Sequence, residues 1–406
     1  MSLTKKVSTH NFYAFLWHAG FLAFAQNFMD IDTIIPAMLI ESGGTAFHVG
    51  LMTAILLGGS SFTQLFFAPF ISNFSFKKRF LLFGINTRVI SLFGLGAIMF
   101  FTIINQWGYT IGLLFLFITT FAVAGAFTNI SYTDILGKSV GPEKRKSFFS
   151  IKQVLAGVIV FGSAILARKL IMLQPFPTNY GILFFIGASA LLIASFGFWK
   201  IKETEPSYLK IKSLKEFFQV LKRELVGNKK LAYFLGFINT QGIAISFLPF
   251  VVLYAKQNFQ AHSDQVGNFL LFKVIGIVLV SLLVALGVKK LKYNYMLYAN
   301  VGLSLLLALM AFLINDVAML KYLFVIGGLV YSLYTITMNG LLLEVSGQEN
   351  RAIYAGFAGA GNLVPAIFPL VGGVIIAKLG FSFFFALYAL IILMALYFIR
   401  RIDCQK

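Results

Sequence analysis

The chain has 406 residues, of which 59% are hydrophobic and only 12% are charged, with a formal net charge of +19. Soluble domains carry about 25% charged residues, so one soluble core cannot bury this much apolar surface and lipid must cover it. The single cysteine, Cys404, excludes a disulfide framework and a paired-cysteine metal site. Four scattered histidines give no HExxH motif, and no complete phosphate-binding loop occurs. The sequence predicts an integral membrane protein without a metal or cofactor.

Apolar stretches that are long enough to span a bilayer, at about 20 residues each, recur along the whole chain. They are continuous rather than alternating, which favours helices over a β-barrel. Twelve are predicted, near residues 11–40, 46–72, 80–103, 108–137, 148–170, 179–199, 231–257, 264–288, 295–314, 321–344, 352–377 and 381–399. The predicted fold class is therefore an all-α membrane protein with twelve transmembrane helices.

Lysine and arginine concentrate in every second connection between these stretches. They lie at residues 5–6, 77–79, 138–146, 200–230, 289–292, 351 and 400–401. Cytoplasmic loops carry an excess of these residues, so both termini and the long central connection are predicted to be cytoplasmic. The net positive charge then reports topology, and we expect no nucleic-acid partner. Short loops, one cysteine and rich use of Lys, Ile and Phe favour a bacterial cytoplasmic membrane.

The two halves of the chain repeat the same features in the same order. The stretch 21–24, followed by Pro36, returns as 234–237, followed by Pro249. Further matches, written first half with second half, are Asn129 with Asn339, Asp134 with Glu344, and 141–145 with 347–351. Such a duplication predicts two pseudo-symmetric six-helix bundles. The matched prolines predict paired bends in the helices that line a central cavity.

The longest polar stretch divides the chain into three predicted parts. These are an N-terminal bundle at 1–200, a cytoplasmic linker at 201–230 and a C-terminal bundle at 231–406. Leu214 and Leu221 belong to a set of apolar linker residues at helical spacing. This predicts an amphipathic helix on the anionic inner leaflet, although a simple tether between the halves explains the linker equally well.

Two carboxylates fall in the first predicted span. An ionisable side chain costs roughly 2.5–3.5 kcal/mol at the bilayer centre, so each is a functional candidate. On a continuous helix Asp30 and Asp32 lie about 200° apart. Asp30 shares its face with Gln26 and Asn27, whereas the face of Asp32 is otherwise apolar. Because burial disfavours the charged form of a carboxyl group, we predict Asp30 as the proton carrier and Asp32 as a second coupling group. A permanent structural ion pair is the alternative.

Basic side chains also lie within the predicted spans. Lys273 lies about 14 Å from the outer end of its span and Asp30 about 15 Å from that of its own, so we predict that they meet. Lys273 could instead bind an anionic substrate or extend to the interface. Arg88 is predicted to pair with Asp134 or with a helix carbonyl, and His18 to be a packing histidine rather than a proton relay.

Amides, hydroxyls and aromatic side chains in the spans are the candidate substrate contacts. They are Gln26, Asn27, Asn239, Tyr331, Thr335 and Asn339. The last three form one row at four-residue spacing on the tenth span. Hydrogen bonding between helices would explain these residues nearly as well.

The duplicated architecture, the long central linker and the basic connections resemble the major facilitator superfamily. That family carries a Gly-x-x-x-Asp-Arg-x-Gly-Arg-Arg signature after the second span, which helps to hold the halves together. Residues 69–79 keep the basic end of this pattern, while Asn73 stands where the acid is expected. The resemblance implies a latch or gate formed by Asn73, Lys77, Lys78, Arg79, Asp134, Arg145, Glu344 and Arg351. Residues 369–373 are similar to an antiporter motif that the family places in its fifth span.

The resemblance also implies a function. It is that of a secondary active transporter, not an enzyme, which moves a small organic solute by alternating access. The implied partners are this solute, a proton and the lipid bilayer, and the implied state is a monomer. Export is slightly favoured, with a proton-coupled uptake symporter or a facilitator as the alternative. A membrane-embedded enzyme is a weaker interpretation, because only Asp134 with Lys138, or Glu344 alone, approaches a polar cluster at one depth. A channel or receptor-like protein would not need duplicated halves with matched prolines.

Overall fold

The structure is a computed structural model, and it describes residues 4–101, 107–206, 214–286, 293–346 and 361–402. Every regular element in those residues is helical. The first half contains α1 Lys5–Gln26, α2 Ile34–Glu41, α3 Ala46–Ser72, α4 Lys78–Phe101, α5 Trp107–Ser139, α6 Pro142–Leu173 and α7 Thr178–Lys200. The rest contains α8 Leu214–Gly227, α9 Lys229–Gln241, α10 Phe247–Phe259, α11 Ser263–Leu286, α12 Tyr293–Leu313, α13 Val317–Ser346 and α14 Leu363–Ile402.

Twelve spanning segments account for all of these helices except α8, as predicted. Ten helical stretches in the described part of the chain are long and apolar enough to cross a membrane. One of them, α14, contains two segments that meet at Gly380, where φ is +82°. Glycine adopts this backbone conformation without the strain that a Cβ would add. The interrupted segment formed by α1 and α2 completes the set.

The first and seventh membrane segments are both interrupted near their middles. In the first, a 3₁₀ turn at Asn27–Met29 and four non-helical residues separate α1 from α2. In the seventh, a 3₁₀ stretch at Gly242–Ser246 separates α9 from α10. Pro36 and Pro249 are each the third residue of the helix that follows, where the missing N–H would have no partner within the helix. The interruptions therefore precede the prolines at matching places in the repeat.

One compact unit comprises Met1–Asp30 and Gly59–Phe217. Within it α4 packs on α5 and α7, and α1 packs on α6 and α7. This unit holds the basic connections of the first half, which surround the ends of α4, α5 and α6.

A second compact unit comprises Ile31–Gly58 and Phe218–Lys406. Here α11 packs on α13, α9 on α14, and α12 on both α13 and α14. The short helix α2 packs on α10 and α11. By their contacts, residues 31–58 thus group with helices from the second half of the chain, although the sequence repeat places them in the first half. The bundle boundaries 1–200 and 231–406 stay a prediction.

The linker contains the expected helix, α8, inside the predicted range 201–230. Phe218 and Val226 are exposed, as are Lys215 and Arg223. Whether this helix rests on lipid stays a prediction.

Candidate functional site

A buried ion pair in the second unit joins the first membrane segment to the eighth. Asp32 Oδ2 lies 2.5 Å from Lys273 Nζ, and each side chain is about 6% exposed. Asp32 comes from the non-helical residues between α1 and α2, and Lys273 lies in the middle of α11. The Tyr331 ring is also close, with its centroid 5.9 Å from Lys273 Nζ. Two residues of the predicted coupling set are therefore in direct contact, beside a predicted substrate contact.

The helical-wheel argument that separated the two carboxylates does not apply to this structure. It assumed a continuous helix, but regular α-helix stops at Gln26 and resumes only at Ile34. Asp32 therefore does not lie on the apolar face that the wheel assigns to it. Asp30 is half-buried, and its predicted role as proton carrier, like its predicted meeting with Lys273, stays a prediction.

A second ion pair ties α2 to α10 in the same unit. Lys256 Nζ lies 2.5 Å from Glu41 Oε1 and donates to the carbonyl oxygen of Ala261 at 3.1 Å. The sequence did not indicate Glu41, because it lies at the end of its apolar stretch, where a carboxylate is ordinary. Together with Asp32 it attaches both ends of α2 to helices from the second half of the chain.

Two of the predicted substrate contacts use their amides to bind neighbouring helices. Asn27 Nδ2 donates to the Val160 carbonyl at 2.6 Å. Asn239 Nδ2 donates to the Gly361 carbonyl at 2.7 Å, and its Oδ1 accepts from the Val364 N–H at 2.9 Å. The first bond joins membrane segments one and five, and the second group joins segments seven and eleven, so the repeat duplicates the arrangement. Substrate contact by either asparagine stays a prediction.

The remaining predicted substrate contacts differ in exposure. Gln26, Tyr331 and Thr335 are exposed, and Thr335 Oγ1 donates to the Tyr331 carbonyl at 2.9 Å. Only the backbone of Asn339 is described. Their binding of substrate stays a prediction.

The basic connections of the first unit contain a charged network. Asp134 accepts from Lys77 at 2.8 Å and from Lys138 at 2.9 Å. Lys138 also lies 2.7 Å from Glu203, whose two carboxylate oxygens accept from the backbone N–H groups of Lys77 and Lys78 at 2.8 Å each. Glu203 thus binds the amides at the start of α4. It supplies a carboxylate near the stretch in which Asn73 replaces the acid of the family signature.

The other residues predicted to form the latch are either exposed or have side chains that the structure does not describe. Asn73 and Arg79 are exposed. Arg351 lies outside the described residues, and only the backbones of Arg145 and Glu344 are described. That these residues hold the two halves together stays a prediction.

The structure does not bring Arg88 to Asp134. Arg88 lies eleven residues beyond Lys77, about 16 Å further along the same direction, and it is Lys77 that Asp134 contacts. The Arg88 guanidinium instead lies over the Phe121 ring, with Cζ 4.1 Å from the centroid. Its buried Nε has no hydrogen-bond partner in the described part of the chain.

His18 packs as predicted, buried on α1. Its ring stacks on Phe198 with the centroids 3.7 Å apart, and Nδ1 lies 3.2 Å from the Ala194 carbonyl oxygen. Because a carbonyl oxygen only accepts, Nδ1 carries the proton. A proton-relay role for His18 would have to use the other ring nitrogen.

Comparison with known proteins agrees with this architecture. The model of the Major Facilitator Superfamily matches residues 16–363. The chain belongs to this family. It is therefore a membrane transporter of a small-molecule substrate and not an enzyme. No curated protein sequence matches it.

Solved structures of transporters share the fold of this superfamily member. A POT family transporter in complex with a thioalcohol-conjugated peptide has a TM-score of 0.68 at 12% identity, covering 97% of this chain and 96% of that chain. A variant of the nucleoside transporter NupG also has a TM-score of 0.68, at 13% identity, with 96% and 98% covered. A D-xylose–proton symporter has a TM-score of 0.65 at 15% identity, with 97% and 96% covered. At these identities the likeness shows the fold alone.

Proposed function

We propose that this superfamily member is a proton-coupled secondary transporter that moves a small organic solute by alternating access. The observation that supports the proposal is the Asp32–Lys273 ion pair, at 2.5 Å and shielded from water. The proposed setting is a bacterial cytoplasmic membrane, with a monomer whose two termini are cytoplasmic. Residues 369–373, which are similar to an antiporter motif, support export as the direction; uptake or facilitated movement is the alternative.

The pair has the properties that a coupling device needs. Two opposite charges in a low-dielectric site stabilise each other, and removal of one charge leaves the other buried and uncompensated. Protonation of Asp32 removes its charge without removing the side chain. The protonated state therefore weakens the contact between α11 and the segment that carries Asp32. Protonation of Asp32 therefore favours a conformation in which α11 and this segment separate, and deprotonation disfavours that conformation.

The place of the pair connects protonation to a change of shape. Asp32 lies in the interruption of the first membrane segment, and α2 beyond it is also held by the Glu41–Lys256 pair. In an alternating-access transporter, contacts between helices from the two halves of the chain must break at one side of the membrane when that side opens. We infer that opening at α2 separates these pairs, so that Asp32 meets water and exchanges its proton in that state.

Flux in proteoliposomes tests the proposal. The purified protein is reconstituted, a pH gradient is imposed, and the movement of a panel of neutral, anionic and cationic solutes is followed. We expect gradient-driven flux of at least one class. Asp32→Asn should abolish the dependence on the gradient, whereas Asp264→Asn, a carboxylate in the first turn of α11, should preserve it.

Asp30→Asn identifies which carboxylate carries the proton. Coupling that survives in Asp32→Asn and disappears in Asp30→Asn would assign the proton to Asp30, as the sequence predicts, and would overturn the role of the ion pair. Wild-type flux that ignores the gradient would overturn proton coupling altogether.

A further inference from the structure

Asn362 has a buried amide oxygen, Oδ1, that accepts no hydrogen bond from the described residues. The residue directly precedes α14, which begins at Leu363. An asparagine in this position ordinarily accepts a hydrogen bond from the backbone N–H two or three residues further on. Neither bond is available here, because the Val364 N–H donates to Asn239 Oδ1 at 2.9 Å and Pro365 has no N–H. The local sequence therefore leaves this acceptor open to another donor.

The Tyr334 hydroxyl lies close to this oxygen. A Cβ on Gly242 would be 2.9 Å from Tyr334 Oη and 3.4 Å from Asn362 Oδ1, so the missing side chain lets both polar atoms approach the backbone of segment seven at one point. They are not hydrogen-bonded to each other. Gly242 begins the 3₁₀ stretch that interrupts segment seven. Segments seven, ten and eleven of the second unit therefore bring a hydroxyl and an open acceptor together at the interruption.

Tyr331 lies one helical turn before Tyr334 on α13 and extends this polar place with an aromatic ring. The ring is 41% exposed, although the preceding turn of the same helix is closely packed. Gly327 in that turn lies against α10, and Gly328 lies against the backbone of Lys273 on α11. On the helix, Tyr331 points between the directions of these two glycines. Its exposed ring therefore faces the space between α10 and α11, next to Tyr334.

The charges nearest to these three residues neutralise each other. Lys273 Nζ lies 5.9 Å from the centroid of the Tyr331 ring, and it is paired with Asp32 at 2.5 Å. Glu41 and Lys256 form the other described ion pair of the unit. A charged solute would lose its hydration here without an opposite charge in compensation. The unit's other described charged side chains lie in α8 or near the ends of membrane helices, at Lys229, Lys230, Asp264, Asp316, Lys321, Lys378, Arg400 and Arg401.

We propose that Asn362, Tyr334 and Tyr331 bind the transported solute, and that this solute is uncharged and carries an O–H or N–H donor beside a flat ring. The donor would bond to Asn362 Oδ1, an oxygen that only accepts. A hydroxyl could accept from the Tyr334 O–H at the same time, and the ring would stack on Tyr331. A carboxylate has no proton to donate, and an ammonium group would have to displace Lys273 from Asp32. This inference rests on the proposed transport function, whose solute it narrows to one chemical class.

Calorimetric titration of the detergent-purified full chain tests the site without any gradient. Benzamide supplies N–H donors, and 4-pyridinemethanol supplies an O–H donor at a pH where its ring is neutral. N,N-dimethylbenzamide and the methyl ether of 4-pyridinemethanol keep the rings and lack the donors, while benzoate and benzylammonium carry a charge. We expect one or both donor probes to bind about tenfold or more tightly than their methylated counterparts and than either ion. The two donor probes distinguish an amide solute from a hydroxylated one.

Variants locate the binding. Tyr334→Phe removes only the hydroxyl and Asn362→Ala removes the acceptor, so each should weaken binding of the donor probes about tenfold. Asn362→Asp places a negative charge at the acceptor and should allow benzylammonium to bind, which a purely structural role would not produce. Tyr322→Phe, at an exposed position on the same helix as Tyr334, should bind as the wild type does. The preference of the wild type for donors needs no variant, so the test holds even where a variant does not fold.

Three outcomes would overturn the site: binding of neither donor probe, equal binding of the methylated or charged counterparts, or binding that Tyr334→Phe and Asn362→Ala leave unchanged. The transport proposal can fail separately. Donor-dependent binding without any gradient-driven flux would remove proton coupling and keep the site. Gradient-driven flux that Tyr334→Phe and Asn362→Ala do not affect would keep the transporter and remove the site.

Discussion

Lys273 Nζ and Asp32 Oδ2 are 2.5 Å apart at a point where neither side chain is more than about 6% exposed. Lys273 belongs to a regular helix, whereas Asp32 belongs to the four residues that no helix includes. Because the helix is interrupted, the Asp32 carboxylate takes an orientation that it would not have on a continuous helix. We therefore expect the effects of replacing the two residues on protein stability, as well as on transport, to be coupled.

Removal of either charge should destabilise the protein more than removal of both. Asp32→Asn or Lys273→Gln removes one charge of a buried ion pair and keeps the other, at a cost of about 3–5 kcal/mol, while the double variant removes both charges. Thermal unfolding of the four proteins in detergent forms a double-mutant cycle, and the double variant should lose less than the sum of the single losses. Asp264→Asn serves as the control. Additive losses would show that the pair contributes no coupling energy.

Much of the fold can be predicted from the sequence because the bilayer restricts which structures can span it. Each span must be apolar over about 20 residues and must satisfy its own backbone, so the lengths of apolar runs predict the helices. The charge of the loops and the duplicated order of Pro36 and Pro249 then identify the architecture. These features are local or periodic, and they can be counted along the chain.

The sites are much harder to predict from the sequence, because they depend on departures from regular structure and on partners far apart in sequence. The wheel argument for Asp30 and Asp32 failed where the first segment leaves the helix. Glu203 was missed because it follows the seventh helix, 125 residues beyond the Lys78 amide that it binds. Asp134 was one of two partners predicted for Arg88, the other being a helix carbonyl, but the structure places Lys77 on that carboxylate.

The crossing of α3 and α14 should not accept a side chain. A Cβ on Gly50 would lie 2.4 Å from the Pro369 carbonyl oxygen, and one on Gly373 would lie 2.4 Å from the Ala46 carbonyl oxygen. Gly50→Ala or Gly373→Ala must therefore move two backbones apart, at a cost of about 1–3 kcal/mol. We expect a lower melting temperature and slower transport from both.

Gly302 provides the matched control for this crossing. A Cβ there meets nothing within 4 Å, so Gly302→Ala should keep the melting temperature or raise it slightly through better helix propensity. Equal effects of Gly50→Ala and Gly302→Ala would contradict the close approach.

Neighbouring basic residues at the start of α4 should differ sharply in their contribution to the stability of the protein. Lys77 is 4% exposed and binds Asp134, whereas Arg79 is exposed. Lys77→Ala should cost about 1–3 kcal/mol, because it removes one of two charged partners from the half-buried Asp134 carboxylate, while Arg79→Ala should change stability by less than about 0.5 kcal/mol. Glu203→Ala should cost more than Lys77→Ala, since it releases two backbone amides as well as Lys138. Thermal unfolding measures all three, and an Arg79→Ala loss as large as that of Lys77→Ala would contradict the network.

Asn27 and Asn239 should behave as a structural pair. Each amide bonds to the backbone of the helix that its half of the repeat places beside it, so Asn27→Ala and Asn239→Ala should each lower stability by about 1–3 kcal/mol. The apparent KM for the solute should stay near the wild-type value in both, because the amides are occupied by helix packing. Gln26→Ala, at an exposed neighbouring position, should leave stability unchanged. Melting curves and concentration-dependent flux in proteoliposomes separate the roles: a KM raised tenfold at full stability would make either asparagine a substrate contact after all.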